Sequence, residues 1–517
     1  MSFSDFICTF AMSIQNFIFL NPQDWKKMRN IYLRHFCLLL TLILVGCTES
    51  NPILHIEGGD IQGVLTDKDG VYAYKGIPYA APPIGDLRWR EPQPVVPWDG
   101  IMVCDEFGHP SYQSVHYPGC YTTEWGYGSE SPYSEDCLYL NVWTNAPGST
   151  DAKQPVAFFV HGGGFREGWG SEPEFDGEEW AAKDVVLVTI NYRLGVFGFL
   201  AHPDLSAESP HGVSGNYGLL DMIAALKWVR ANIAQFGGDP GNVMIFGQSA
   251  GADGIRKLCE SPLTEGLFSK AVIMSGDGLR RNGNVRGHQD QLLAESERDC
   301  KAVLDWANLT TLRDMRAAST EVIHSLSTIR NMVEGSSVAG RFGYEQGITS
   351  RPILDNYVSV RSFNDAAMKD SLHHVTYMIG YTMHDYLKDM RNAIDDFCLN
   401  REECGDVVYA YEFARPLPTD EHHGELEGAF HSADLWYVFK SLKHSWRPWT
   451  KGDIDLSETM LTAWTNFAKT GNPGKAWQPY TKKNPRYMVF RLDGNGNEAS
   501  SMGEPVNGDS IYHKTPF

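Results

Sequence analysis

The sequence predicts an α/β fold, with one mostly parallel sheet covered by helices on both faces. Three observations predict it. Apolar runs of strand length recur at Pro155 to Val160, Val185 to Tyr192, Val243 to Phe246, Lys270 to Ser275 and Val375 to Gly380. Helix-forming stretches lie between strand runs, including an amphipathic one from Gly215 to about Phe236. Strands that are apolar throughout, rather than at every second residue, are buried on both faces by crossover helices. The third observation is Val243-Met244-Ile245-Phe246-Gly247-Gln248-Ser249-Ala250-Gly251-Ala252, where a strand run passes through a glycine-flanked serine directly into a helix.

That junction fits G-x-S-x-G. A serine on a sharp strand-to-helix turn has its hydroxyl lifted clear of the sheet. Gly247 and Gly251 are then required because side chains there would collide with the neighbouring strand and helix. The helix that follows points backbone N–H groups at any developing oxyanion. The bland alternative is an ordinary turn, so the other members of a site have to be found.

With 517 residues, 42% hydrophobic and 21% charged, the chain can build a large core. A formal net charge of −20 argues against nucleic acid, whose phosphates would be repelled. Ten cysteines include no C-x-x-C pair and no Cys/His cluster at zinc spacing, so no metal site is expected. Cys398 and Cys404, or Cys120 and Cys137, are near enough to pair; reduced, partly buried thiols are the alternative.

The N-terminus reads as targeting rather than fold. Arg29 and Arg34 precede the apolar run Phe36 to Val45, which ends in Leu44-Val45-Gly46-Cys47. This resembles a bacterial lipoprotein signal, which implies acylation of Cys47, a lipid anchor in the cell envelope, and a true start at Met28. A plain secretory peptide or a mis-assigned start is the alternative. The run is short for a membrane span. Residues 1–46 are therefore read as a targeting segment and 47–517 as a single domain, since no internal repeat or low-complexity linker divides them.

From Ile53 to Lys75, alternating segments with Gly-Gly and Asp-Gly turns predict a β-hairpin or meander. There follow Gly76-Ile77-Pro78-Tyr79-Ala80, Leu87-Arg88-Trp89-Arg90, Pro97-Trp98-Asp99-Gly100, and the ten residues Ser134 to Trp143, SEDCLYLNVW. On these motifs the chain resembles the type-B carboxylesterase and cholinesterase family, whose fold is the α/β-hydrolase fold. The similarity runs from about residue 53 to the end, through Ser445-Trp446-Arg447-Pro448-Trp449 and Trp464 to Pro473. It implies ester hydrolysis without a cofactor, on small-molecule carboxylic esters. Many relatives join the cysteine of the SEDCL segment to one where this chain has Ser111. Either Cys120 or Cys104 substitutes, or Cys137 is free.

The glycine run His161-Gly162-Gly163-Gly164-Phe165 follows a strand, and three glycines let the backbone turn its N–H groups toward one point. By the resemblance, Gly163, Gly164 and Ala250 are the oxyanion donors. A serine hydroxyl needs a base, and the base an orienting carboxylate, in the chain order Ser, acid, His. The family's I-G-x-x-x-D-E-G places the acid at Asp385, with Asp389 as the alternative. Its G-x-x-H-x-x-D-L-x-Y-V-F places the base at His431. His422 and His423 lie in a polar stretch and are expected to be solvated. Residues 285–370, with helix-periodic segments at 289–305 and 309–333, read as a helical excursion over the active site.

Two functional alternatives accompany this reading: a non-catalytic adhesion ectodomain of the same family, and a narrow hydrolase of aromatic, feruloyl-type esters. Where cholinesterases carry an acidic residue before the serine, this chain has the neutral Gln248, and Trp125 is expected to be a loop or gorge-wall aromatic.

Overall fold

The computed structural model describes residues 51–114, 124–126, 132–281, 290–326, 348, 351–385, 389–422 and 428–506. Pro52–Phe517 forms one compact unit. Cys47, Cys120 and His423 lie outside the described residues.

The start of the domain is the expected hairpin. β1 (Ile53–Ile56) and β2 (Gly59–Gln62) pair antiparallel, and β2 pairs parallel with β5 (Ile101–Val103) to complete a three-stranded sheet. Among the described residues the main sheet has eleven strands. Its centre is β8 (Val186–Ile190), β7 (Gln154–Val160), β9 (Gly238–Gln248), β10 (Lys270–Met274), β11 (Thr376–Thr382), β12 (Val408–Phe413) and β13 (Tyr487–Phe490), in that order and all parallel. The edges are antiparallel. On one side β8 meets β6 (Tyr139–Thr144), then β4 (Tyr72–Pro78) and β3 (Val64–Leu65). On the other β13 meets β14 (Ser501–Gly503).

The parallel centre is buried on both faces, as its unbroken apolar runs require. Along β7, Val156, Phe158 and Val160 join one core while Ala157 and Phe159 join the other. The second core is dense in aromatics. Phe159 meets Phe175, Phe246 and Phe439 at centroid separations of 4.6, 4.8 and 4.9 Å. The helix Lys451–Thr470 packs against it through Leu456, Met460, Trp464 and Phe467. Thr450 and Asp453 close a reciprocal capping box at its start, and Gly471, at φ +74°, ends it in the left-handed region.

Some expectations need correction. β9 begins at Gly238, five residues before the apolar run at Val243, and Gly238 pairs with Gln154 across a register shift. The helix Tyr217–Asn232 is not amphipathic, because twelve of its residues, spread around the circumference, are buried between sheet and neighbouring helices. It ends in a 3₁₀ turn, Ile233–Phe236. Cys137, Cys104, Cys398 and Cys404 are all free thiols. Of the alternatives left open for Cys137, the free one holds. Ser111, at the place of the relatives' partner cysteine, instead accepts the Leu194 N–H at 3.0 Å.

Between β10 and β11 the described residues contain helices and no strand: Leu293–Trp306, Leu312–Ala317, Thr320–Leu326 and Phe363–Met368. Arg88 ties this excursion to the domain. Its guanidinium pairs with Glu135 at 2.7 Å and donates to the carbonyls of Met315 and Ala318 at 3.1 and 2.8 Å, while Thr320 donates to Glu135 at 2.6 Å. The acid of the SEDCL segment thus belongs to a buried ion pair that clamps the excursion. Both charges have well-formed hydrogen bonds, without which their desolvation would be destabilising.

Candidate active site

Ser249 lies between the end of β9 and the helix Ala250–Glu260, at φ 57° and ψ −124°. A non-glycine residue at such angles is strained, and it is held there because its N–H donates to Met274 O of β10 at 2.9 Å. The flanking glycines are required by contact. A Cβ on Gly251 would lie 2.1 Å from Val160 O, and one on Gly247 would lie 2.6 Å from Gly251 C. Nothing else lets helix and strand approach so closely.

The glycine run leaves the end of β7 beside this turn. A Cβ on Gly162 would meet Gln248 O at 2.9 Å and Ser249 Cβ at 3.1 Å, so the two segments lie in contact. Gly163 and Gly164 both have positive φ, +94° and +64°. Gly163 also leaves no room for a side chain, because Glu167 O lies 2.1 Å from its ideal Cβ. The loop is braced from outside. Gln113 exchanges two hydrogen bonds with the backbone of Gly168, at 3.1 and 2.9 Å. His161 stacks on Tyr192 at 4.4 Å and its Nδ1–H donates to Gly162 O at 2.9 Å; burial pushes this imidazole down to about 4, so it is neutral.

Beneath the loop lie two carboxyls. Glu172 Oε1 accepts the Trp169 N–H at 2.9 Å, and Glu174 is fully buried beside it. Glu174's polar neighbours are its own backbone N–H and the carboxyl of Glu172, so the two adjacent carboxyls are accommodated by a proton between them. Burial, and for Glu174 the neighbouring carboxylate, raise both: Glu172 to about 8, Glu174 well above the carboxylate range.

At the C-terminal end of β11, Asp385 is buried and accepts Thr382 Oγ1–H at 3.2 Å. Its Oδ1 stands 3.0 Å from His431 Nδ1. Asp389, the alternative acid, is exposed at the start of the helix Met390–Glu403. His422 is exposed, as expected of a solvated residue. The loops carrying Asp385 and His431 are joined by neighbours the motifs did not single out. His384 N–H donates to Ala429 O at 2.9 Å, and His384 Nδ1 accepts the Ala429 N–H at 3.1 Å.

Two further residues touch this group. Gln248 is buried, with its Nε2 3.1 Å from His431 Nε2. Asp434 is fully buried; Tyr411 O–H donates to its Oδ2 at 3.0 Å, and its Oδ1 has no hydrogen-bond partner among the described residues. Burial raises its carboxyl to about 6, and the Asp385 charge adds to this. The sequence signal for Asp434 was its place as the aspartate of the G-x-x-H-x-x-D-L-x-Y-V-F segment, which did not say what it touches. For His384 there was none, because its role depends on two distant loops pairing.

The Carboxylesterase family profile matches residues 50–403 and 389–506. The chain belongs to this family. It is 40% identical over 396 residues to the fumonisin B1 esterase of Sphingopyxis macrogoltabida, covering 74% of this chain and 67% of that one. It is 32% identical over 492 residues to the para-nitrobenzyl esterase of Bacillus subtilis, covering 85% of this chain and 95% of the relative. A solved PNB esterase structure superposes with a TM-score of 0.70 at 27% identity, over 87% of this chain and 97% of that one. The fold is therefore the α/β-hydrolase fold, and this esterase is a carboxylic ester hydrolase.

Proposed function

We propose that this esterase hydrolyses carboxylic esters through an acyl-enzyme on Ser249, with His431 as the base and Asp385 as its orienting acid. The observation that carries the reading is the buried 3.0 Å contact between Asp385 Oδ1 and His431 Nδ1, beside the strained turn of Ser249. Ionised Asp385 only accepts hydrogen bonds, so Nδ1 carries the proton and Nε2 keeps its lone pair. That lone pair takes the Ser249 proton as Oγ attacks the ester carbonyl. The negative charge on the tetrahedral oxygen is met by N–H groups of Gly163, Gly164 and Ala250, held in place by the glycine contacts. Collapse expels the alcohol, protonated from His431. Water, activated by the same Nε2, then attacks the acyl carbonyl and restores Ser249.

The binding-ectodomain alternative has no supporting observation, since the serine, base, acid and glycine loop are all present. The substrate range is tested with para-nitrobenzyl, feruloyl and fumonisin B1 esters on purified protein. Ser249→Ala folds normally and lowers kcat on every hydrolysed ester by about 10⁶-fold, the scale seen when a triad nucleophile is removed. Full activity in that variant would remove the reading. We also propose that Cys47 is acylated and anchors the protein in the bacterial cell envelope, on the strength of the basic residues, apolar run and cysteine that precede the domain. Cys47→Ser is expected in the soluble fraction, since several acyl chains on one cysteine are what hold such a protein at a membrane. Membrane retention of that variant would refute the anchor.

A further inference from the structure

We infer that the outer face of the small three-stranded sheet lies flat on the bilayer that holds acylated Cys47. Ser249 then stands at the far end of the main sheet and meets esters from solution rather than membrane lipids. The inference rests on the anchor reading above.

The face is set by strand register. Residues opposite one another on neighbouring strands share a face, and alternate residues point the other way. Ile53 of β1 pairs with Gln62 of β2, which pairs with Val103 of β5; His55 pairs with Asp60, which pairs with Ile101. The row between them, Leu54, Ile61 and Met102, packs into the domain core. A sheet with one face on the core and the other in water ordinarily alternates apolar inward with polar outward. Here the outward rows are apolar as well, with Ile53, Ile101 and Val103 left 51%, 49% and 54% exposed. The acid among them is paired, Asp60 Oδ1 lying 2.8 Å from His55 Nδ1. At the edge of the face Trp98 packs across the hairpin turn at Gly58 and Gly59, and its indole N–H donates to Asp60 O at 3.0 Å. Tryptophan is a residue that collects at headgroup level.

What covers this face follows from the chain. Cys47 precedes Ile53 by six residues, which span at most about 21 Å when fully extended. An acylated cysteine is fixed at the membrane surface. Ile53 is then never farther than that from the leaflet, and setting the face down takes its aliphatic side chains out of water with the tether still slack. Asp99, Asp105 and Glu106 are exposed on either side of β5 in the chain, so the face suits a zwitterionic leaflet rather than an anionic one.

The contacts of the small sheet set the orientation. Glu57 N–H, in the hairpin turn, donates to Asn232 Oδ1 at 2.8 Å, and Leu54 Cδ2 lies 3.9 Å from the ideal Cβ position of Gly148. Gly148 N–H in turn donates to Gln235 O at 2.8 Å. The small sheet is thereby fastened to the segments that lead into β7 and β9, at the N-terminal ends of the parallel strands. The glycine loop and Ser249 leave the C-terminal ends of the same two strands. β9 has eleven residues, so about 30 Å of strand separates its two ends. A lipid ester would have to leave its leaflet to reach Ser249, and a dissolved ester would not.

The test is site-specific photocrosslinking of the full-length acylated protein in vesicles of phosphatidylethanolamine and phosphatidylcholine. A benzoylphenylalanine replaces Val103 on the face or, in a second protein, Arg166, which is exposed in the turn of the glycine loop. After irradiation, lipid adducts are expected on the tryptic peptide of the Val103 site and not on that of the Arg166 site. Ile53 and Ile101 are probed in the same way, so a single variant that misfolds leaves the face tested. In the same vesicles the wild-type protein should hydrolyse dissolved para-nitrophenyl butyrate and release no fatty acid from the vesicle lipid. Lipid adducts at Arg166, none on the face, or crosslinks from the face into a protein chain would overturn the docking. Fatty acid released from the vesicle lipid would overturn the orientation. Failure of the anchor reading is separately visible, as an N-terminal peptide whose mass includes no acyl chain.

Discussion

At the scale of single residues, the acid position shows what spacing alone leaves open. Asp385 is one methylene shorter than the glutamate that cholinesterases carry, and a motif register cannot say whether a shorter acid still reaches. It reaches because β11 carries it to Thr382 and the ring at once, at 3.2 and 3.0 Å. Asp385→Asn is expected to lower kcat by about 10⁴-fold, because an asparagine can stabilise the wrong imidazole tautomer. Asp389→Asn, at an exposed helix start, is expected to leave kcat within about twofold, as surface substitutions do. Steady-state kinetics of the two variants checks this, and comparable losses in both would move the acid role. Ser249 was legible because a local pattern of strand, glycine and turn surrounds it, and His431 because its segment resembles the family's G-x-x-H-x-x-D-L-x-Y-V-F. What Gln248, Asp434 and His384 touch was not legible, because those contacts join segments far apart in the chain and no local pattern encodes them.

At the scale of elements, the Ser249 turn and the glycine loop form one tightly packed unit. Gly251→Ala would place a methyl 2.1 Å from Val160 O, a backbone atom that cannot rotate aside. Overpacking of this kind costs about 3 kcal/mol, and urea unfolding monitored by tryptophan fluorescence measures it. The parallel strands were readable from their unbroken apolar runs. The twelve buried residues of the helix Tyr217–Asn232 were not, because burial from a second side is a property of the neighbours rather than of the helix. The carboxyl pair beneath the glycine loop gives this unit a pH dependence. Glu172 is raised from 4.5 to about 8, so the folded state holds a proton that the unfolded chain releases. The stability it lends is complete below about pH 4.5 and is lost as pH rises toward about 8. Glu174→Gln supplies a neutral side chain at the same length and should flatten that decline in urea midpoints measured across this range. An equally steep decline in the variant would mean the carboxyls do not share a proton.

At the scale of the whole molecule, the net charge of −20 draws cations over long distances, while Gln248 next to Ser249 adds no local charge. At physiological ionic strength the long-range part is screened beyond about 8 Å. Acetylthiocholine and its uncharged tert-butyl analogue are therefore expected to differ in kcat/KM by no more than about threefold at 0.15 M salt. A cation preference of about a hundredfold would require a local site of the kind that pairs a cation with an aromatic face. The central claim, that Ser249 is the nucleophile activated by His431 and Asp385, is tested most directly by tryptic mapping after fluorophosphonate treatment of the native protein. The account predicts one label per chain on the peptide carrying Ser249, and a labelling rate that collapses in His431→Ala. A label on any other residue, or undiminished labelling without His431, would contradict it.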